Sequence, residues 1–295
     1  MDFEIYHDES KEAGYWHGIF LVPVKKKQEL LKLLEYARNV IGHKKCLSLK
    51  KIKKKNRIYF CARAWIQIGV ASMIHNLKGM NYPIIVKEKY PQVEKINLEK
   101  EIATKFILFR EKDNLKKMNS ALDHGAKVET TFRMGLKGGL HFLGDIQNPI
   151  NIVKLHFDGH EHYKRQVDKD RIIGRLKGLR DYVTFDKDLE IDDRKCDHNR
   201  NGAQHYDDCQ LLQLTDLLIG SYRTILGESK RKIHNEVAFP VNELIKRYND
   251  GYKRMQNSRW VNSFCMSQCY LDNDQWQFEN FSYPHNPDLE QLPLL

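Results

Sequence analysis

The sequence predicts an α/β protein, on three observations. Two short strand-like runs stand at the N-terminus, helical stripes follow them, and a strongly alternating run appears at 150–157. A period of two marks half-buried strands, and apolar residues three and four apart mark helices.

Phe3 to His7 alternates and is rich in strand formers. The pattern breaks between Ser10 and Gly14 and resumes from Tyr15 to Val24, which predicts an antiparallel hairpin with Pro23 at the end of its second strand. Leu30, Leu31, Leu33, Leu34, Ala37, Val40 and Ile41 form a helical stripe over 26–41 that Gly42 can stop. Residues 57–77 are apolar on most sides and predict a buried helix. Tyr82 to Lys87 reads as a strand, ended by Pro91, and 94–119 as a charged helix. Gly135, Gly138, Gly139 and Gly144 argue for a loop or lid over the end of 121–144. Ile150 to Phe157 is a strand running directly into Asp158, and 168–182 is an amphipathic helix. A polar, flexible stretch is expected over 186–208. Leu211 to Gly220 is a largely apolar helix with Asp207 or Asp208 as its N-cap. One more helix, about 235–255, precedes aromatic-rich strand-like runs around Cys269 and Trp276. No repeat or low-complexity linker divides the chain. The expectation is a main domain over 1–230 with an extension, 231–295, packed on it.

The chain of 295 residues is long enough to bury a good core, and its 41% hydrophobic and 30% charged composition does not suggest disorder. No run approaches the ~20 apolar residues that span a bilayer, and the opening Met1-Asp2-Phe3-Glu4 lacks the features of a signal peptide. The expected setting is cytoplasmic. The net charge of +10 is concentrated: lysine or arginine occupies positions 25, 26, 27, 32, 38, 44, 45, 50, 51, 53, 54, 55 and 57, opposed only by Glu29 and Glu35. Such a segment either binds phosphates in a salt-dependent way or is a solvated basic surface. It lacks the Trp/Phe/Leu face of a membrane-surface helix. Cys46, Cys61, Cys196, Cys209, Cys265 and Cys269 are scattered and read as reduced thiols. Cys196, His198, His205 and Cys209 lie close together, yet their spacing matches no common zinc module.

Three acids stand where an acid is locally costly. Asp8 follows a strand expected in the core sheet, Asp158 ends the best strand, and Asp216 interrupts an apolar helix. Singly, each has an ordinary reading: a turn former, the start of a loop, an exposed helix position. Together they suit a hard divalent ion, which compensates buried carboxylates and takes phosphate oxygens as further ligands. His156, His160 and His162 cluster around Asp158 and are either general-base candidates or loop residues.

Ile5-Tyr6-His7-Asp8-Glu9-Ser10 resembles the "DES" opening of the prokaryotic domain-of-unknown-function 3800 family. Leu212-Gln213-Leu214-Thr215-Asp216-Leu217-Leu218-Ile219-Gly220 is similar to that family's "LQxADxxxG" helix, and Leu155-His156-Phe157-Asp158 sits where the family has its mid-chain strand Asp. The resemblance covers roughly residues 1–230. Lys11 replaces the family's usual Gly after DES, and Thr215 its alanine.

The resemblance implies a ribonuclease H-like fold: a mixed five-stranded sheet, three strands antiparallel and two more parallel, flanked by helices. It also implies a metal-dependent nuclease, often met near defence or mobile-element genes. Asp8, Asp158 and Asp216 would hold Mg²⁺ or Mn²⁺, and Glu9 would join the catalytic group if the strand has ended before it. Glu99 and Glu101 are both candidates for a further acid. Lys50, Lys51, Lys53 and Lys54 are the expected nucleic-acid contacts, for DNA or RNA. The alternatives are a nucleic-acid-binding module without turnover, and a subunit of a larger complex or homo-oligomer.

Overall fold

The central feature is a mixed sheet, seven strands of which lie among the described residues, with helices on both faces. The structure, a computed structural model, describes residues 1–10, 14–73, 89–92, 102–112, 124–144, 148–158, 170, 174, 183–192, 206–227, 231–254, 263–273 and 275–280. In chain order the elements are β1 (Asp2–Ser10), β2 (Tyr15–Pro23), α1 (Val24–Ile41), a 3₁₀ turn (Leu49–Lys51), α2 (Arg57–Met73), β3 (Lys105–Glu111), α3 (His124–Leu143), β4 (Ile150–Phe157), β5 (Val183–Asp192), α4 (Tyr206–Ile225), α5 (Lys232–Arg254), β6 (Phe264–Asp272) and β7 (Gln275–Asn280). The strand order is β5-β4-β1-β2-β3-β6-β7. β1, β2 and β3 run antiparallel in succession; β4 is parallel to β1, β5 to β4 and β6 to β3, and β7 returns antiparallel.

The expected hairpin forms, and α1 ends where expected: Gly42 takes a left-handed conformation (φ 69°) and its neighbour His43 N–H donates to Arg38 O. Alternation along β1 sorts its side chains between two cores. Tyr6 joins Trp16, Phe20 and the apolar faces of α1, α2, α4 and α5, while Phe3 and Ile5 face Leu136 and Leu140 of α3. No helix of the described residues is long and apolar enough to cross a membrane.

Four expectations need correction. Among the described residues the sheet has seven strands rather than five, because β6 and β7 extend it beyond β3; the C-terminal extension is thus continuous with the main sheet. The charged helix expected over 94–119 contains β3. Phe106 to Phe109 is an unbroken apolar run buried on both faces, the pattern of an interior strand, and the charges that suggested a helix flank it. The loop expected near Gly144 is instead α3. Gly135 and Gly139, one turn apart, lie against Phe109 and Ile107 of β3, where a Cβ at either would collide, so these glycines permit close helix-to-sheet approach. Finally, the polar stretch begins with β5: Asp186, Asp188 and Glu190 belong to a strand at the sheet edge, with Val183 and Leu189 turned inward. The strand expected at 82–87, the helix at 168–182 and residues 193–205 lie wholly or almost wholly outside the described residues.

On the α3 face a buried imidazole pair lies behind the hairpin. His7 Nε2 and His17 Nδ1 are 2.8 Å apart, and His17 Nε2 is 2.7 Å from Thr131 Oγ1. Burial holds the His7 pKa down to about 4, against an opposing pull from Glu9, and holds His17 well below its usual range. The unfolded chain takes up protons near pH 6.5 that the folded pair refuses, so this contribution is complete above pH 6.5 and lost as pH falls towards about 4. For His7 alone the loss is expected to reach roughly 3 kcal/mol. Urea midpoints at pH 7 and pH 4.5, with NMR of the ring protons, check this; rings that titrate in the folded protein near pH 6.5 would contradict it.

Candidate functional site

Strand register brings the first two acids together. β1 and β4 are parallel and paired up to His7 with Phe157, so Asp8 and Asp158 are the next residues on adjacent strands. Asp8 is also paired with Gly18 of β2. A Cβ at Gly18 would collide with Ile219 and approach Thr215 Cγ2 to 3.2 Å, so the missing side chain lets α4 settle onto the hairpin. Asp216 lies between those two contacts on α4.

The three carboxylates repel one another. Burial, then the charge of Asp216, then that of Asp158, raises the Asp8 pKa well above its ordinary range; Glu9 N–H, donating to Asp8 Oδ1 at 2.8 Å, opposes this. The Asp216 pKa is also raised by burial, with Asp158 adding to it. The hydrogen bond with Ser48 and the charges of Lys50 and Arg223 pull the other way. Arg223 is buried two turns along α4, and its Nη1 donates to Ser10 Oγ at 2.5 Å.

The helix segment from Gln213 to Gly220 serves as a seat for the basic loop after α1. Gln213 Oε1 accepts from Leu47 N–H at 2.8 Å and from Arg38 Nη2 at 3.3 Å, while its Nε2 donates to Cys209 O. Ser48 reaches Asp216. Leu49 packs on Gly220, where a Cβ would lie 3.0 Å from its Cδ2. Successive loop residues thus dock on Gln213, Asp216 and Gly220 and deliver Lys50 to the edge of the acids. Lys50, Lys51, Lys53 and Lys54 are all exposed. Lys50 acts electrostatically on Asp216, and Lys51 acts on the half-buried Cys46, which also senses Asp216 and Asp158.

Glu9 is placed differently. As alternation requires, its side chain leaves the Asp8 face; its carboxylate accepts from Tyr15 O–H, and its charge acts on His7 and, as the smallest of the contributions, on Asp8. Glu99, Glu101, His160, His162, Cys196, His198 and His205 lie outside the described residues. Cys209 is buried in α4 against the core. Asp207 and Asp208 occupy the first turn of α4 rather than a cap.

A second group escaped sequence reasoning. One ligand atom from each of Glu4, His156 and Asp208 lies within 4.8 Å of the others. Lys27 Nζ bridges two of them, 2.8 Å from Glu4 Oε2 and 2.7 Å from Asp208 Oδ1. Tyr6 O–H is 2.6 Å from Glu4 Oε2 and 3.0 Å from Asp208 Oδ1, and its ring stacks on His156 at 4.4 Å. Although burial opposes it, these partners hold the Glu4 pKa far below the usual carboxylate range and also lower that of Asp208. The signal was available as spacing: Glu4 precedes Asp8 by four strand residues, His156 precedes Asp158 by two, and Asp208 precedes Asp216 by eight helical residues.

Compared with known proteins, the chain matches no protein-family model and no curated protein.

Proposed function

We propose that this protein is a divalent-metal-dependent nuclease with a ribonuclease H-like core, hydrolysing phosphodiester bonds of DNA or RNA. The observation that carries the reading is the mutual repulsion of Asp8, Asp158 and Asp216 beside exposed lysines. Within the larger sheet, the order β3-β2-β1-β4-β5 and its strand directions agree with the arrangement that the resemblance implies, which supports the fold assignment.

The donor set fits Mg²⁺ or Mn²⁺. All three acids offer hard oxygens, and the raised proton affinity of Asp8 and Asp216 is the response of clustered carboxylates. Asp8, Asp158 and Asp216 would hold the metal. When bound, such ions polarise the phosphate and lower the pKa of the attacking water. The chain's own groups do the rest. Glu9 N–H and the Ser48 side chain orient two of the carboxylates, and Lys50 with the exposed lysines after it holds the nucleic-acid backbone beside them.

One observation favours a second reading, a nucleic-acid-binding module without turnover: Glu9 lies on the opposite face and leaves three acids at the site among the described residues. Cleavage of labelled single- and double-stranded DNA and RNA with Mn²⁺, Mg²⁺ or EDTA separates the two. Cutting that needs metal supports the nuclease. Tight salt-sensitive binding without cutting, unchanged by Asp8→Asn, would leave the binding module.

Either reading uses the lysines. Replacing Lys50, Lys51, Lys53 and Lys54 together by Ala is expected to flatten the log–log salt dependence of duplex binding by up to roughly 4 units. Fluorescence anisotropy between 50 and 200 mM salt measures the slope; an unchanged slope would move the interface elsewhere.

A further inference from the structure

The Glu4–His156–Asp208 group has the donor types of a metal site, but its centre already holds a cation. Lys27 Nζ stands within 2.8 Å of oxygens from two of the three residues. Glu4, Asp208, Lys27 and Tyr6 form a closed set in which each carboxylate meets both the ammonium and the phenol. His156, 2% exposed, adds a contact of 3.0 Å to Glu4 and stacks flat on Tyr6. A partly buried carboxylate pair bridged this way is costly to break, because removing one partner leaves uncompensated charge.

The location matters more than the strength. Glu4 and Tyr6 belong to β1, His156 to β4, Asp208 to α4 and Lys27 to α1. Three of these elements carry or immediately precede Asp8, Asp158 and Asp216. The fourth, α1, leads into the loop that brings Ser48 and Lys50 to Asp216. Asp208 and Asp216 lie on α4 about 12 Å apart along its axis, and Glu4 and Asp8 about 13 Å apart along β1. A helix pinned to the strand at the first pair is therefore in register at the second.

We propose that Lys27 is a positioning residue, a tethered cation whose contacts with Glu4 and Asp208 set the register of α4 on β1 and β4 and so bring Asp216 to Asp8 and Asp158. The inference rests on the metal-site reading above. Lys27 touches neither metal nor substrate, and its effect passes through the placement of Asp216.

Mn²⁺ titration of the full chain, followed by the EPR signal of the free ion, tests this. Wild type against Asp8→Asn tests the metal site itself: binding by wild type that Asp8→Asn abolishes upholds it. Absence of wild-type binding overturns that reading and this inference with it. Lys27→Met tests the positioning role separately. Electrostatics alone would tighten Mn²⁺ binding by up to about threefold, since the substitution removes a positive charge some 12 Å away. Loss of register is expected to weaken it by tenfold or more, with Lys27→Arg restoring most of the affinity and metal-free nucleic-acid binding unchanged. Wild-type or tighter Mn²⁺ affinity in a folded Lys27→Met protein would overturn the proposal. If that variant does not fold, Lys27→Gln removes the same charge while keeping a polar side chain towards both carboxylates, and the same two outcomes apply.

Discussion

Asp8→Asn is expected to abolish metal-dependent cutting, by about a thousandfold or roughly 4 kcal/mol, while making the metal-free protein more stable. The two effects share a cause. In the folded chain Asp8 is part-buried, and desolvation with the charges of Asp216 and Asp158 raises its pKa, so ionising it at neutral pH works against folding. Asn keeps the acceptor for Glu9 N–H and removes the charge. The sign follows from linkage: an acid whose folded pKa exceeds its unfolded value of 3.8 disfavours folding increasingly as pH rises above that value. The stability gained by Asn is therefore present at pH 7–8 and vanishes towards pH 4. Added Mn²⁺ should raise the melting temperature of the wild type, and do so more at pH 8 than at pH 6, with little effect on the variant. A variant that melts lower than wild type in EDTA at pH 8 would show that the acids are not in conflict. A variant that still cuts would remove Asp8 from the site.

Gly18→Val is expected to cost about 1–3 kcal/mol of stability and to weaken Mn²⁺ binding. Gly18 pairs with Asp8, and the Ile219 side chain occupies the space that a Cβ would need. Because Ile219 and Thr215 are buried in a packed layer, added methyl groups must lift α4 rather than turn a free side chain aside. Lifting α4 moves Asp216, which stands between Thr215 and Ile219 in sequence. Thermal melts and Mn²⁺ affinity read the two parts separately. Unchanged metal affinity despite lower stability would mean that the site tolerates a displaced helix. Gly138 provides the contrast: a Cβ there meets nothing within 4 Å. Gly138→Ala should leave both quantities unchanged or slightly raise stability, as alanine favours the helix.

Much of the sheet was legible because its strands obey a local rule. The alternation of 3–7 and 150–157 sorts side chains between two faces, and the structure keeps those faces distinct, with Tyr6 on one side and Ile5 on the other. The cost of placing Asp8, Asp158 and Asp216 among apolar neighbours was also readable locally. It depends only on what precedes each residue.

β3 and α3 were misread because their deciding partners are distant in sequence. Phe106 to Phe109 is a strand because β2 pairs on one side and β6 on the other. Gly135 and Gly139 suit a helix because β3 lies flush beneath them. Propensity weighs a residue against its chain neighbours, whereas these contacts set it against residues far along the chain.

The sequence by itself determined the α/β class, the hairpin, the strand before Asp158, the apolar helix bearing Asp216 and the concentration of positive charge after position 25. Those follow from periodicity and composition, which act over a few residues. Tertiary structure alone decided that the charges of Asp158 and Asp216 act on Asp8, that the Glu9 carboxylate is held by Tyr15, and that Lys27 is held between Glu4 and Asp208. Such outcomes depend on strand register and on the seating of α4. Both are set by pairings across more than a hundred residues, as between His7 and Phe157, which no local pattern specifies.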